Sequence, residues 1–244
     1  MRWIYLSPHL DDAVLSAGGL IYEQTQSGTP VEIWTFMCGF APEEAVSPFA
    51  AAIHQDWGFA SAEEATRSRR EEDRNAAAIV GASVVHFDFF DCIYRRAPGG
   101  EWLYDDISVP PAAEDASLPQ QIADAILPRL QSDDVLVAQL AVGSHVDHVI
   151  VRQAAERLGR PLLYDIDVPY VFYKPEEFAP KSAGMAEKTH FISENGLKAW
   201  KEAMFEYRSQ LHTLGDALST PDQARESIDA YWSEWKGIRL FQKR

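Results

Sequence analysis

Apolar positions along the chain follow two periods that replace each other in turn. Short runs of β-branched and aromatic residues alternate with helix-length stretches whose apolar residues return every three to four positions, the pattern of an α/β fold. Residues 3–6 read as a first strand and 12–26 as a helix closed by Ser27-Gly28. A second strand spans 31–37, a helix ended by Gly81 spans 62–80, and a third strand spans 84–87. The spacing then predicts a helix over 118–130, a buried fourth strand over 134–140, a helix over 146–158 and a fifth strand over 161–164. Extended pieces at 168–173 and 189–192, helices at 194–210 and 221–235, and a short strand at 238–241 complete the pattern. Residues 39–61, with Pro42, Pro48 and a Trp57-Gly58 turn, read as a long irregular segment, and 88–117 as a second loop-rich one. Loops of that length serve as lids or binding loops.

Strand–helix–strand repetition at these spacings predicts a Rossmann-like, mostly parallel sheet with helices on both faces. Residues 1–244 are expected to form a single domain, with variable pocket loops at about 39–61 and 88–117. Parallel sheets take their ligands at the carboxyl ends of the strands where strand order reverses. The active site is therefore expected just after strands one and four, and both of those loops carry histidine and aspartate.

After the first strand comes Ser7-Pro8-His9-Leu10-Asp11-Asp12. Either aspartate alone is explained by capping the free amides of a helix start. Capping does not explain a histidine and two adjacent carboxylates on one turn. His9 and Asp12, three apart, fall on the same side of a helical turn, and an imidazole with a carboxylate suits a divalent ion such as zinc. Asp11 points elsewhere from the same turn and is placed to act beside the metal without ligating it. Gly18-Gly19 lie inside the following helix, where they suit close helix packing; no GxGxxG phosphate loop precedes them. After the fourth strand comes His145-Val146-Asp147-His148. Alone, this is a weak signal. Delivered to the same sheet edge, His148 joins His9 and Asp12 as a third ligand, and His145 is left as an unligated imidazole facing the site. His54, His86, His190 and His212 have no motif context and read as structural or surface residues.

Charge narrows the partners. With 37 acidic against 22 basic residues the net charge is −15, which repels a phosphate backbone. The densest basic run, Arg67-Ser68-Arg69-Arg70, is followed at once by Glu71-Glu72-Asp73. Nucleic acid is excluded as a partner, and no run of about 18 apolar residues gives stable membrane insertion. Two cysteines, Cys38 and Cys92, do not make a disulfide framework. With no signal-peptide pattern at the N-terminus, a cytoplasmic location is expected.

At these residues the sequence resembles the PIG-L/LmbE-like family of zinc-dependent de-N-acetylases. The resemblance rests on Pro8-His9-Leu10-Asp11-Asp12-Ala13 with Gly18-Gly19, and on His145-Val146-Asp147-His148. Arg69-Arg70-Glu71-Glu72 and Tyr207-Arg208-Ser209-Gln210 are weaker echoes, so it spans roughly residues 1–210. Leu10 stands where the family usually has proline and Ala13 where it has glutamate; neither is a ligand position. The resemblance implies one Zn2+ per chain on His9, Asp12 and His148, with Asp11 as general base. It implies that a protonated His145 stabilises the oxyanion while Asp147 keeps that ring charged and oriented. Arg69 and Asp91 are implied to bind sugar hydroxyls or neighbouring polar groups. The activity implied is removal of an N-acetyl or related N-acyl group from an N-acetylglucosamine-type amino sugar or glycoconjugate. The residues themselves leave open another mononuclear metal-dependent hydrolase, a non-catalytic carbohydrate-binding protein on the same scaffold, the substrate itself, and whether the chain forms a homo-oligomer.

Overall fold

The computed structural model describes residues 1–244, the side chain of Glu43 excepted. Its strands are β1 (Trp3–Ser7), β2 (Val31–Thr35), β3 (Ser83–His86), β4 (Val135–Gln139), β5 (Leu162–Asp165), β6 (Met185–Phe191) and β7 (Gly237–Lys243). They form one sheet in the order β3-β2-β1-β4-β5-β7-β6. The five strands from β3 to β5 are parallel. β7 runs antiparallel to β5, and β6 antiparallel to β7. The helices are α1 (Asp12–Gln26), α2 (Pro48–Trp57), α3 (Ala62–Val80), α4 (Leu118–Ile126), α5 (Val146–Arg157), α6 (Tyr170–Tyr173), α7 (Phe178–Ser182), α8 (Glu194–Met204) and α9 (Pro221–Trp235).

Successive side chains of β1 leave opposite faces of the sheet. Ile4 and Leu6 enter one core with Trp34, Leu136 and the apolar faces of α4 and α5. Tyr5 enters a second core with Ile33, Val137 and residues of α1, α3, α8 and α9. A parallel sheet whose strands are apolar on both sides must be covered on both, so the expected two-faced α/β architecture is what forms.

Several segments differ from the sequence expectation. Residues 48–57 are a helix, not irregular chain: Ser47 Oγ accepts the Ala50 N–H, Pro48 occupies the first helical turn, and Gly58 closes it with φ +80°. Residues 170–173 form a single helical turn. Their aromatic, β-branched composition suggests a strand, but the sheet position beside β5 is taken by β7. The α4 helix stops at Ile126 and tightens into a 3-10 turn over Leu127–Arg129, because Pro128 cannot supply the next helical N–H. The α8 helix stops at Met204, so 205–210 are turns.

Gly18 and Gly19 do what close helix packing requires. A Cβ on Gly18 would sit 2.6 Å from Trp200 Cδ1, and one on Gly19 2.7 Å from Ile192 Cδ1. Trp200 cannot simply turn aside, since its indole N–H donates to the Leu15 carbonyl at 3.1 Å. Gly18→Ala should therefore destabilise the fold despite alanine's better helix propensity, by about 1–3 kcal/mol of overpacking strain less about 1 kcal/mol of propensity. A denaturant midpoint at or above that of the parent would contradict this packing account.

Candidate active site

The β1 and β4 strands lie side by side, with Tyr5 level with Val137. From β1 the chain moves to one side of the sheet and from β4 to the other, which opens a crevice at the switch point. The loop after β1 brings His9, Asp11 and Asp12 there; the loop after β4 brings His145, Asp147 and His148. All six are buried. The three imidazole rings stand 4.7–5.3 Å apart, centre to centre.

Asp12 Oδ2 lies 3.3 Å from His9 Nδ1 and 3.4 Å from His148 Nε2. Ligand atoms about 2.0–2.1 Å from a tetrahedral ion lie about 3.3–3.4 Å from each other, so this spacing fits a zinc-sized cation. The donor chemistry fits as well. His148 Nε2 is buried and has no hydrogen-bond partner among the described residues, an arrangement that costs free energy unless something binds the lone pair. The far nitrogen of each ring is held by a carboxylate: His9 Nε2 by Asp147 Oδ2 at 3.1 Å, His148 Nδ1 by Asp167 Oδ1 at 2.9 Å. Such carboxylates fix the ring orientation and tautomer of metal-binding histidines. Asp12 itself is anchored by the His9 backbone N–H at 2.8 Å.

The paired aspartates are driven apart in acidity. Burial alone would raise both. His148 and His9 outweigh it at Asp12, whose carboxyl is held well below the usual range. At Asp11, burial and the neighbouring Asp12 charge push the carboxyl up to about 6, opposed by Arg69. Adjacent carboxyls separated in this way are suited to different tasks.

Asp147 does not orient His145 in the expected manner. Its carboxylate is engaged by His9, by the Cys92 N–H at 3.0 Å and by Arg95 at 2.6 Å. What reaches His145 is the Asp147 backbone N–H, which donates to Nδ1 at 3.2 Å. Any proton on the neutral ring is thereby left to Nε2. Burial first, then the two neighbouring imidazoles, lower the His145 pKa well below its ordinary value, against the pull of Asp147 and Asp12. This direction favours the uncharged ring, whereas the sequence reading expected a charged one.

Arg69 is buried; its guanidinium lies 4.5 Å over the Trp57 ring and 3.9 Å from Asp11. Asp91 accepts the Ile93 N–H at 3.2 Å and also stands 3.7 Å from His9 Nε2. Both border a cavity of about 290 Å³ above the cluster, with His9, Asp11, Asp12 and His145 on its floor. Its walls include Trp57, Tyr170, Tyr173 and Gln210. The two weaker sequence echoes prove to be physically joined. Glu72 accepts both the N–H and the hydroxyl of Ser209, and Asp73 accepts the Tyr207 hydroxyl, which holds Gln210 at the cavity wall. Of the four histidines without motif context, His54 meets Tyr94 and His86 meets Asp73 through side chains. His212 meets the Asp56 carbonyl, and His190 packs on Trp3.

Sequence reasoning passed over Asp167, Arg95, Trp57, Tyr170 and Tyr173. Asp167 follows β5 at the same sheet edge as the two motifs, and the strand-end rule would have found it. Arg95 lies in the loop-rich segment and carries no such signal.

A parallel α/β sheet with His–Asp–His donors and a further carboxylate at its switch point is the architecture of a metal-dependent hydrolase. Residues 4–158 match the family described as GlcNAc-PI de-N-acetylase, and the chain belongs to that family. It is 27% identical over 232 residues to 2'-N-acetylparomamine deacetylase of Niallia circulans, covering 86% of this chain and 80% of the relative. Among solved structures, the zinc-inhibited form of teicoplanin deacetylase superposes with a TM-score of 0.84 at 26% identity, over 99% of this chain and 97% of that one. The A40926 pseudoaglycone deacetylase superposes with a TM-score of 0.75 at 27% identity, over 99% and 96%. No helix among the described residues is long and apolar enough to cross a membrane.

Proposed function

We propose that this protein holds one zinc ion on His9, Asp12 and His148 and hydrolyses the N-acetyl or related N-acyl amide of an amino sugar carried on a larger glycoconjugate. The observation that supports this most is the spacing of Asp12 Oδ2 from the two imidazole nitrogens, in a chain of a de-N-acetylase family. Relatives whose names specify N-acetylparomamine and teicoplanin support an amino-sugar substrate within an antibiotic-like conjugate. When bound, zinc supplies Lewis acidity, which polarises an acyl carbonyl and makes water more acidic.

The remaining work falls to the chain. Asp11, lining the cavity with His9 and Asp12, takes a proton from the attacking water as general base, and the departing amine receives a proton from Asp11 or from His145 as the C–N bond breaks. His145, with Nδ1 already accepting the Asp147 amide, presents Nε2–H to the oxygen on which negative charge develops. Asp147 acts through His9, holding its ring so that Nδ1 faces Asp12. Arg69, stacked on Trp57 at the cavity border, and Asp91 offer polar groups to sugar hydroxyls. The apolar ring faces of Trp57, Tyr170 and Tyr173 offer a stacking surface to the sugar or its aglycone.

The test combines metal analysis with amine release. Purified protein should carry close to one zinc per chain. It should free acetate from N-acetylated aminoglycoside fragments or N-acetylglucosamine conjugates, lose that activity to a chelator, and regain it with zinc. Full zinc occupancy with no amine released from any N-acyl amino sugar would instead make the protein a carbohydrate binder.

A further inference from the structure

Between β4 and α5 the chain makes a turn on which the cluster depends. Ala141, Gly143 and Ser144 have φ of +57°, +88° and +58°. Only one of the three is glycine, and the left-handed region is unfavourable for an alanine or a serine. His145 follows at once and His148 three residues later, so the shape of this turn determines where both rings stand. Its own hydrogen bonding is slight, a Ser144 N–H to the Ala141 carbonyl at 3.1 Å.

The turn is gripped from outside by residues 170–181. Glu177 Oε2 accepts the Gly143 N–H at 3.1 Å and the Ser144 hydroxyl at 2.8 Å. Lys181 donates to the Ser144 hydroxyl at 2.9 Å and to the Ala141 carbonyl, and Lys174 donates to the Gly143 carbonyl at 3.2 Å. Lys181 also pairs with Glu177 at 3.3 Å. From the same segment the Tyr170 ring lies so close that a Cβ on Gly143 would be 2.2 Å from it. The same ring meets His148 edge-on, centre to centre 5.2 Å.

We propose that Glu177 is a positioning residue: its carboxylate clamps the 141–144 turn in its left-handed form and so fixes the placement of His145 and His148. The effect on turnover rests on the hydrolase reading above, whereas the clamp itself does not. An ordinary exposed ion pair contributes little; this carboxylate differs because it accepts a backbone N–H of a strained turn.

The experiment uses the full-length, zinc-loaded protein with Glu177→Ala, Glu177→Gln and Ser144→Ala. Amide hydrogen exchange over 141–146 should speed up about 10-fold or more in Glu177→Ala, while β1 and β4 exchange as in the parent. With an N-acylated substrate in hand, kcat should fall about 10- to 100-fold with KM little changed, the cost of sub-ångström misplacement of reacting groups. Glu177→Gln keeps an oxygen acceptor in the same place and should restore both readouts to within a few-fold of the parent. Ser144→Ala removes one arm of the clamp, and its effects should not add to those of Glu177→Ala. Should Glu177→Ala fail to fold, raised exchange at Gly143 in Ser144→Ala supports the clamp and parent-like exchange there overturns it. Parent-like exchange in a folded Glu177→Ala likewise overturns it. An inactive parent with a clamp-dependent exchange pattern would count against the substrate reading and leave the clamp standing.

Discussion

Asp11→Asn should keep its zinc and lose turnover by about 10²–10⁴-fold, the range general-base catalysis contributes. The reason is positional. Asp11 borders the cavity with His9 and Asp12, whereas His9 Nδ1 and His148 Nε2 lie 3.3 and 3.4 Å from Asp12 Oδ2. The nearest charged partner of Asp11 is Arg69, at 3.9 Å. The amide is close in size to the carboxylate, so the fold and the metal ligands are unaffected, but it cannot accept a proton from water. Asp12→Asn makes the contrast, because Asp12 Oδ2 is the atom shared by both histidines; that variant should lose metal first and activity in consequence. Zinc per chain and acetate release measured on both proteins separate the two outcomes. Metal loss in Asp11→Asn with metal retention in Asp12→Asn would mean that the two roles are exchanged.

Replacing His148 by alanine should weaken zinc binding by more than about 100-fold and abolish turnover at ordinary zinc concentrations. Mutating a residue that merely supports a ligand costs about 10–100-fold in affinity, and on the proposed ligand set His148 is the ligand that such a residue, Asp167, supports. Asp167→Asn therefore sets a graded scale, with a loss expected inside that lower range. Asp167 is also fully buried. Without the His148 ring it loses one partner and retains the Val142 N–H at 3.0 Å, so the variant should stay folded with reduced stability. Competition with a chromogenic chelator gives the affinities. Undiminished zinc in His148→Ala would remove this residue from the ligand set.

The parts of the molecule legible in the sequence were those governed by period and by strand ends. β1, β4 and their following loops stand out because unbroken apolar runs stop abruptly at polar, histidine-bearing turns. Parallel neighbours then deliver those turns to one edge without further information. The α2 helix was passed over although its signals were local: Ser47-Pro48 at the start and Gly58 at the end. Two prolines and a tryptophan nearby suggested loop. Residues 170–173 could not have been read locally, since whether β5 is flanked by 168–173 or by β7 is decided by chain segments some 70 residues apart. The partner of Asp147 was misassigned for a related reason. His145 is near in sequence, but Arg95 and His9, which its carboxylate meets, come from other loops. Sequence proximity predicts backbone contacts well, and the Asp147 N–H does reach His145; it says little about where a carboxylate points.

The Arg95 guanidinium spans more than one carboxylate. It binds Asp147 at 2.6 Å and Asp115 at 3.0 Å, and Asp115 in turn accepts the Tyr104 hydroxyl at 2.6 Å, which itself accepts the Ala112 N–H. The irregular stretch from 95 to 115 is thus tied at several points to the carboxylate that steers His9. A displacement of that stretch is therefore transmitted to the His9 ring through Arg95 and Asp147. On the proposed ligand set, a substitution at Tyr104 or Asp115 would reach the site without touching a ligand, by loosening the carboxylate that holds the His9 ring.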